Sequence, residues 1–128
     1  MKHEIIGGAL TLPDGKALPL SKAVRAGDFV FVSGQLGLNA QGRLVGEGVE
    51  AQARQALQNI ATILAEAGAS LSHVVKASVW LTDRGDFGLF NQVYVEYFGS
   101  HPPARSMVVC ELVLLGARVE IEVLAYAP

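Results

Sequence analysis

Two charged residues lie in apolar, strand-like surroundings toward the end of the sequence. Arg105 follows Pro102-Pro103-Ala104 and begins an apolar stretch, and Glu120 lies inside an alternating segment. The planar guanidinium of an arginine can bind both oxygens of a carboxylate, and a glutamate can take a proton from an attacking water. One interpretation of the pair is therefore binding of a small carboxylate with addition of water. The residues alone favour the other interpretation, a structural salt bridge for Arg105 and a solvated strand face for Glu120.

The motifs of several other kinds of site are missing from the sequence. The segment Gly34-Gln35-Leu36-Gly37 lacks the later glycine of a dinucleotide fingerprint, and no glycine run is followed by a phosphate-loop lysine. Ser33 lacks the glycine two residues earlier that a nucleophile elbow requires, so it indicates a hydroxyl that bonds the backbone at a strand end. The potential nitrogen and sulfur ligands are scattered: His3, His73, His101 and Cys110. The sequence therefore predicts no metal site and no nucleotide cofactor.

Length and composition restrict the possible classes of protein. The 128 residues predict a single domain over 1–128, and the net charge of −2 without a Lys/Arg cluster argues against nucleic-acid binding. No segment approaches about 18 uninterrupted apolar residues, so we expect no membrane insertion. The lone cysteine suits a reducing compartment, and we expect the cytoplasm. Only 17% of residues are charged, which predicts that some apolar surface is buried against another subunit.

Apolar spacing and turn residues predict two helices between strands. The helices are expected at 49–67, ended by Gly68, and at 86–98. We expect a short strand plus a loop over 1–26, and the other strands follow from β-branched and aromatic content or from alternation: 29–34, 74–82, 105–112 and 118–126. This order, strand-strand-helix-strand-helix-strand-strand, predicts an α+β protein.

The turn at Leu115-Gly116 raises a question about the distance between the two charges. If the last two strands form a hairpin there, Arg105 lies opposite Tyr126 and Glu120 lies opposite Glu111. The charges are then six residues out of register, or about 20 Å apart, too far to bind one small substrate within a subunit. A shared site would then need an adjacent subunit or a different strand order.

An ordered set of segments resembles the reactive intermediate deaminase family, also called the YjgF/YER057c/UK114 family. The resemblance covers about residues 20–126 and is most specific in Pro103-Ala104-Arg105-Ser106 followed by Val119-Glu120-Ile121-Glu122. The other matching segments come earlier in the sequence: Val32-Ser33-Gly34-Gln35, Gln52 to Ile60, Ala67-Gly68, Val74-Val75-Lys76 and Asp86 to Tyr94.

The resemblance implies a fold and an activity. The fold would be like that of bacterial chorismate mutase, a single mixed sheet with two helices on one face, assembled as a homotrimer with ligand clefts between subunits. The activity would be cofactor-free hydrolysis of 2-imino acids or their enamine tautomers to 2-keto acids and ammonia. Arg105 would hold the substrate carboxylate and Glu120 would place or activate the water. Ser33, Gly34 and Asn91 would line the pocket.

Two positions depart from the hydrolase branch of that family. A Gly-Pro-Tyr-Ser segment there supplies a pocket tyrosine where this chain has Leu18-Pro19-Leu20-Ser21, and a frequent cysteine is replaced by Met107. Leu20 removes a hydroxyl and Met107 adds bulk, which predicts a more apolar pocket and a larger substrate or a lower rate.

Two functions from different classes remain open on the sequence. The first is the imine hydrolase, which rests on Arg105 with Glu120. The second is a non-catalytic trimer that binds a carboxylate metabolite as a sensor or accessory protein, which rests on Leu20 and Met107. A ribonuclease activity, also proposed within the family, has little support from the charge balance.

Overall fold

The computed structural model describes residues 3–12 and 14–128, in which strands and helices follow one another along the chain. The elements are β1 (Glu4–Thr11), β2 (Ala17–Ala26), β3 (Phe29–Leu36), α1 (Val49–Glu66), β4 (Val74–Leu81), α2 (Phe87–Phe98), β5 (Ala104–Val109) and β6 (Val119–Tyr126). Single 3-10 turns precede β4 at Leu71–His73 and α2 at Arg84–Asp86.

The strands form one mixed sheet in the order β1-β2-β3-β6-β4-β5. Strands β1 to β3 make an antiparallel meander, and β6 pairs antiparallel with both β3 and β4. Strand β5 runs parallel to β4 after the crossover through α2, because parallel neighbours need a long connection. The architecture confirms the predicted α+β class with one mixed sheet and two helices.

Both helices pack on one face of the sheet, and the core lies between the two layers. In β6, alternate side chains that face the helices are buried: Val119, Ile121, Val123 and Ala125. Helix α1 places Leu57, Ile60 and Leu64 into this core at three-and-four spacing, where all three are fully buried. The opposite face of the sheet is covered by no element of the described ranges, and Phe29, Phe31 and Tyr126 are each more than 40% exposed.

Helix α1 ends where the sequence predicts. Gly68 adopts a φ of +75°, and the N–H of Ala69 donates to the carbonyl of Leu64 at 2.8 Å, as in a glycine-based C-cap. No helix of the described residues combines the length and the apolar character needed to cross a membrane.

One expectation about the strands is wrong, and of the two strand orders left open for the end of the chain the structure has the one without a hairpin. Residues 17–26 form the ten-residue strand β2 rather than part of a loop, because pairing with β1 and β3 overrides the weak local strand signal of a segment that contains Pro19. The last two strands are not a hairpin. The chain after β5 passes over to the middle of the sheet, so that β6 lies between β3 and β4.

Candidate functional site

Arg105 lies on the edge strand β5, and its side chain points toward α2. The guanidinium Nη1 donates to Oδ1 of Asn91 at 2.9 Å. The guanidinium carbon lies 4.8 Å from the ring centroid of Tyr94 and 5.8 Å from that of Phe90. Helix α2 therefore supplies three side chains that hold the arginine in place.

A cavity opens beside the Arg105 guanidinium, between β5 and the end of α2. Its volume is about 310 Å³, at the small end of the range for small-molecule sites. The polar lining comes from Asn91 and Arg105, and the remaining walls are mostly apolar: Tyr94, Val95, Phe98, Gly99, Pro102 and Pro103. Such a cavity could hold a carboxylate at its polar end and a short apolar group against its walls.

Glu120 lies on β6, where its carboxylate rests against the backbone of β3. A register shift between Val32 and Gln35 marks a β-bulge that contains Gly34. A methyl group added at Gly34 would overlap the Glu120 carboxylate, whose Cδ would lie only 3.0 Å away. The glycine therefore allows the carboxylate to approach the strand.

The pKa of the Glu120 carboxyl is raised above its ordinary value. Burial is the larger cause, because it disfavours the charged form, and repulsion from Glu122 on the same strand adds to it. A carboxylate with a raised pKa is a better proton acceptor from water than an exposed one.

Within one chain, Arg105 and Glu120 lie on opposite faces of the sheet. Arg105 pairs with Ala77, which faces the helices, and Glu120 pairs with Trp80, three residues further along β4. Because side chains alternate along a strand, the two functional groups point in opposite directions from Cα atoms about 14 Å apart. The observed strand order differs from the hairpin considered from the sequence, but the conclusion is the same: a single chain cannot bring both groups to one substrate.

The remaining predicted residues fall into two groups. Asn91 contacts Arg105, and Met107 lies on the same face of β5, partly buried against the core. On β3, Ser33 donates its hydroxyl to the carbonyl of Ser21 at 2.6 Å, the backbone bond expected for it. Leu20, on β2 beside Ser21, is 44% exposed.

Two residues near Arg105 were not predicted as part of the site. Phe90 and Tyr94 fall within the predicted helix at 86–98 and within the matching segment Asp86 to Tyr94, but neither was assigned to the site. Their spacing of four residues, with Asn91 on the same turn, places all three on one side of α2. In the described ranges, no three His, Cys, Asp or Glu side chains cluster as a metal site would require.

A buried polar network fixes the start of β6. The Gln52 amide, fully buried, donates to the carbonyls of Gly46 and Gly116, both at 3.2 Å, and accepts from the backbone N–H of Arg118 at 2.7 Å. The Arg118 guanidinium forms an ion pair with Asp86 at 2.8 Å. These bonds tie β6, two residues before Glu120, to α1 and to the turn that precedes α2.

Comparisons with known proteins agree on one family. The family described as endoribonuclease L-PSP matches residues 15–127. The bovine 2-iminobutanoate/2-iminopropanoate deaminase is 46% identical over 84% of this chain and 79% of its own length. The crystal structure of RidA from an Antarctic Psychrobacter is 38% identical with a TM-score of 0.84 and covers 96% of this chain and 98% of its own. Yeast Mmf1 is 35% identical with a TM-score of 0.88, covering 99% and 100%.

Proposed function

The chain belongs to the endoribonuclease L-PSP family, which includes the RidA-type deaminases, and we propose that it hydrolyses 2-imino acids and their enamine tautomers. Water adds to the imine carbon, and the resulting tetrahedral carbinolamine expels ammonia to leave a 2-keto acid. No oxidation or reduction takes place, so the reaction requires no redox cofactor. An imine carbon is already electrophilic and needs orientation and a placed water more than a strong nucleophile.

The observation that carries the proposal is the state of the Arg105 guanidinium. The ion pairs of the described residues join Arg54 with Glu96 and Arg118 with Asp86, so no carboxylate of those ranges pairs with Arg105. Its charge lies beside a small, mostly apolar cavity, with one N–H bonded to an amide oxygen. A guanidinium has five N–H donors, so a substrate carboxylate could bind two of the others.

Glu120 is the proposed proton acceptor for the attacking water. Its raised pKa favours uptake of the proton, and the same carboxyl then returns a proton to the departing nitrogen. Gly34 and Ser33 on β3 form the wall behind this carboxylate, and Leu20 and Met107 give the pocket an apolar character in place of the tyrosine and cysteine of the hydrolase branch.

The proposed active unit is a homotrimer in which each cleft takes Arg105 from one subunit and Glu120 from the next. The opposite placement of these two groups supports a shared site, since one chain cannot complete it. The sheet face that carries Glu120 also exposes aromatic side chains, which favours its burial against a second copy. A head-to-tail contact closes into a ring when the rotation between subunits divides a full turn, and the number three follows from the family resemblance.

The test is the decay of imino acids generated in the cuvette by an amino-acid oxidase and followed by ultraviolet absorbance. We expect wild type to accelerate decay and Arg105→Ala to abolish that acceleration. Arg43→Ala, which removes an exposed arginine elsewhere, is the matched control and should retain activity. The panel should include small, aliphatic and aromatic side chains.

A second outcome would identify the alternative function. If calorimetry detects binding of 2-oxobutanoate while imine decay stays at the uncatalysed rate, the chain is a carboxylate-binding protein rather than an enzyme. If Arg105→Ala keeps both 2-oxobutanoate binding and imine turnover, the role proposed for this arginine is contradicted for both functions.

A further inference from the structure

The guanidinium of Arg105 is held by contacts that leave its charge available. Tyr94 presents its ring to the guanidinium at 4.8 Å, closer than the ring of Phe90 at 5.8 Å, and Asn91 accepts one N–H at 2.9 Å. An aromatic face attracts a cation through its quadrupole and consumes no N–H donor. A carboxylate in the same place would neutralise the charge and compete with a ligand.

The Tyr94 hydroxyl does not explain why this side chain lies here. The residue is only 7% exposed, and its hydroxyl oxygen has no hydrogen-bond partner among the residues that the structure describes. An unpaired buried hydroxyl costs stability rather than adding to it. The ring therefore accounts for the contact with Arg105.

The ring is itself fixed in place from both sides along α2. Phe90 lies one turn before it at 5.5 Å between ring centroids, and Phe98 lies one turn after it at 4.8 Å. Both phenylalanines are at most 2% exposed. Because buried aromatic clusters have few rotameric alternatives, Tyr94 presents a rigid surface to the guanidinium.

We propose that Tyr94 is a positioning residue for Arg105, acting through the face of its aromatic ring and not through its hydroxyl. The consequence for ligand binding rests on the proposed function: a correctly placed Arg105 captures the substrate carboxylate, so loss of the ring should weaken binding more than it slows turnover. The contact between the ring and the guanidinium can be tested without reference to any activity.

The test compares Tyr94→Phe and Tyr94→Leu with Val93→Ala as the matched control. Val93→Ala truncates a neighbouring buried side chain of α2 that does not line the cavity. We expect Tyr94→Leu to raise KM for imino acids, and the Kd of 2-oxobutanoate by calorimetry, about 3- to 10-fold, with a smaller change in kcat. Tyr94→Phe should stay within about twofold of wild type, since it keeps the ring.

A double-mutant cycle separates positioning from general destabilisation. The measured quantity is the free energy of unfolding: Tyr94→Leu should lower it less in the Arg105→Ala background than in wild type, whereas a merely structural role of the ring would give the same loss in both backgrounds. Equal losses of 2-oxobutanoate binding for Tyr94→Leu and Val93→Ala in the wild-type background would overturn the inference, as would a large loss of binding for Tyr94→Phe.

Nuclear magnetic resonance decides the contact even if the protein proves to have no imine hydrolase activity. With ¹⁵N-labelled arginine, the side-chain Nε–H resonance of Arg105, assigned by its absence in Arg105→Ala, should be displaced upfield by the Tyr94 ring. The displacement should persist in Tyr94→Phe and Val93→Ala and be largely lost in Tyr94→Leu, where only the more distant Phe90 ring remains near the guanidinium. An undisplaced resonance in wild type overturns the inference. A displaced resonance without imine turnover or 2-oxobutanoate binding upholds the positioning contact and rejects the proposed function.

Discussion

Subunits that carry Arg105→Ala and subunits that carry Glu120→Gln are each expected to be inactive alone and active together. The expectation follows from the sheet geometry, in which the two side chains leave opposite faces of one chain. In a ring of subunits with head-to-tail contacts, an intact cleft forms wherever an intact Arg105 meets an intact Glu120 of the neighbour. When the two variants are mixed randomly in equal amounts, half of the subunits have an intact Arg105 and the other half have an intact Glu120. A cleft needs both groups, one from each neighbour, so about one quarter of the clefts are complete.

A second mixture distinguishes shared sites from sites within one subunit. When wild type is mixed equally with the double variant Arg105→Ala/Glu120→Gln, shared clefts again leave about one quarter of the sites intact, whereas sites inside one subunit would leave about one half. The two mixtures therefore predict equal activity only if the clefts are shared.

The assay is imine decay after co-expression of the two variants or after joint unfolding and refolding. Native mass spectrometry of differently tagged chains verifies that hybrid assemblies have formed. Mixing the two folded single variants without subunit exchange is the control and should give no activity. Two results together would refute the shared cleft. The first is that hybrids of the two single variants form and are inactive, and the second is that the mixture of wild type with the double variant keeps one half of wild-type activity.

Three further changes test the surroundings of these groups. Gly34→Ala is expected to displace the Glu120 carboxylate and reduce kcat about 100-fold, measured by imine decay, with little change in thermal unfolding because only the end of a flexible side chain must move. Glu122→Gln removes a repelling charge, so the pKa of Glu120 should fall and the acid limb of the kcat/KM profile should move to lower pH; an unmoved limb would contradict this assignment. Gln52→Leu leaves buried carbonyls and an N–H unpaired and should cost about 2 kcal/mol in denaturant unfolding, whereas Gln58→Leu on the exposed side of the same helix should cost less than about 0.5 kcal/mol.

The sequence predicted both helices because their signals are local. The three-and-four apolar spacing and the following glycine predicted α1 at 49–67, and the observed helix, Val49–Glu66, ends within one residue of that range. Strands β3, β4 and β6 were also predicted, since β-branched content and alternation mark a buried face. Strand β2 was missed because its pairing with two neighbours is a tertiary effect that a segment with few buried residues does not reveal.

The arrangement of the site could be predicted only in part. Arg105 and Glu120 stood out as charges in apolar segments, and that signal is local. Their separation depends on strand order, for which the sequence offers only a turn at Leu115-Gly116, and that turn does not join neighbouring strands here. The stacking of Tyr94 on Arg105 was missed because an aromatic residue at helical spacing is usually a core residue, and only the crossover brings β5 against α2.

The position of β6 in the middle of the sheet has a consequence for synthesis of the protein. The meander β1–β3 and the unit β4-α2-β5 are both made before Val119–Tyr126, yet β6 alone joins them by hydrogen bonds on either side. A nascent chain that stops short of this strand has two sheet fragments with uncovered edges and apolar faces, the kind of species that aggregates or recruits chaperones. Premature termination, or a tag that delays the pairing of residues 119–126, should therefore harm the yield of folded protein more than comparable changes at the outer strand β1.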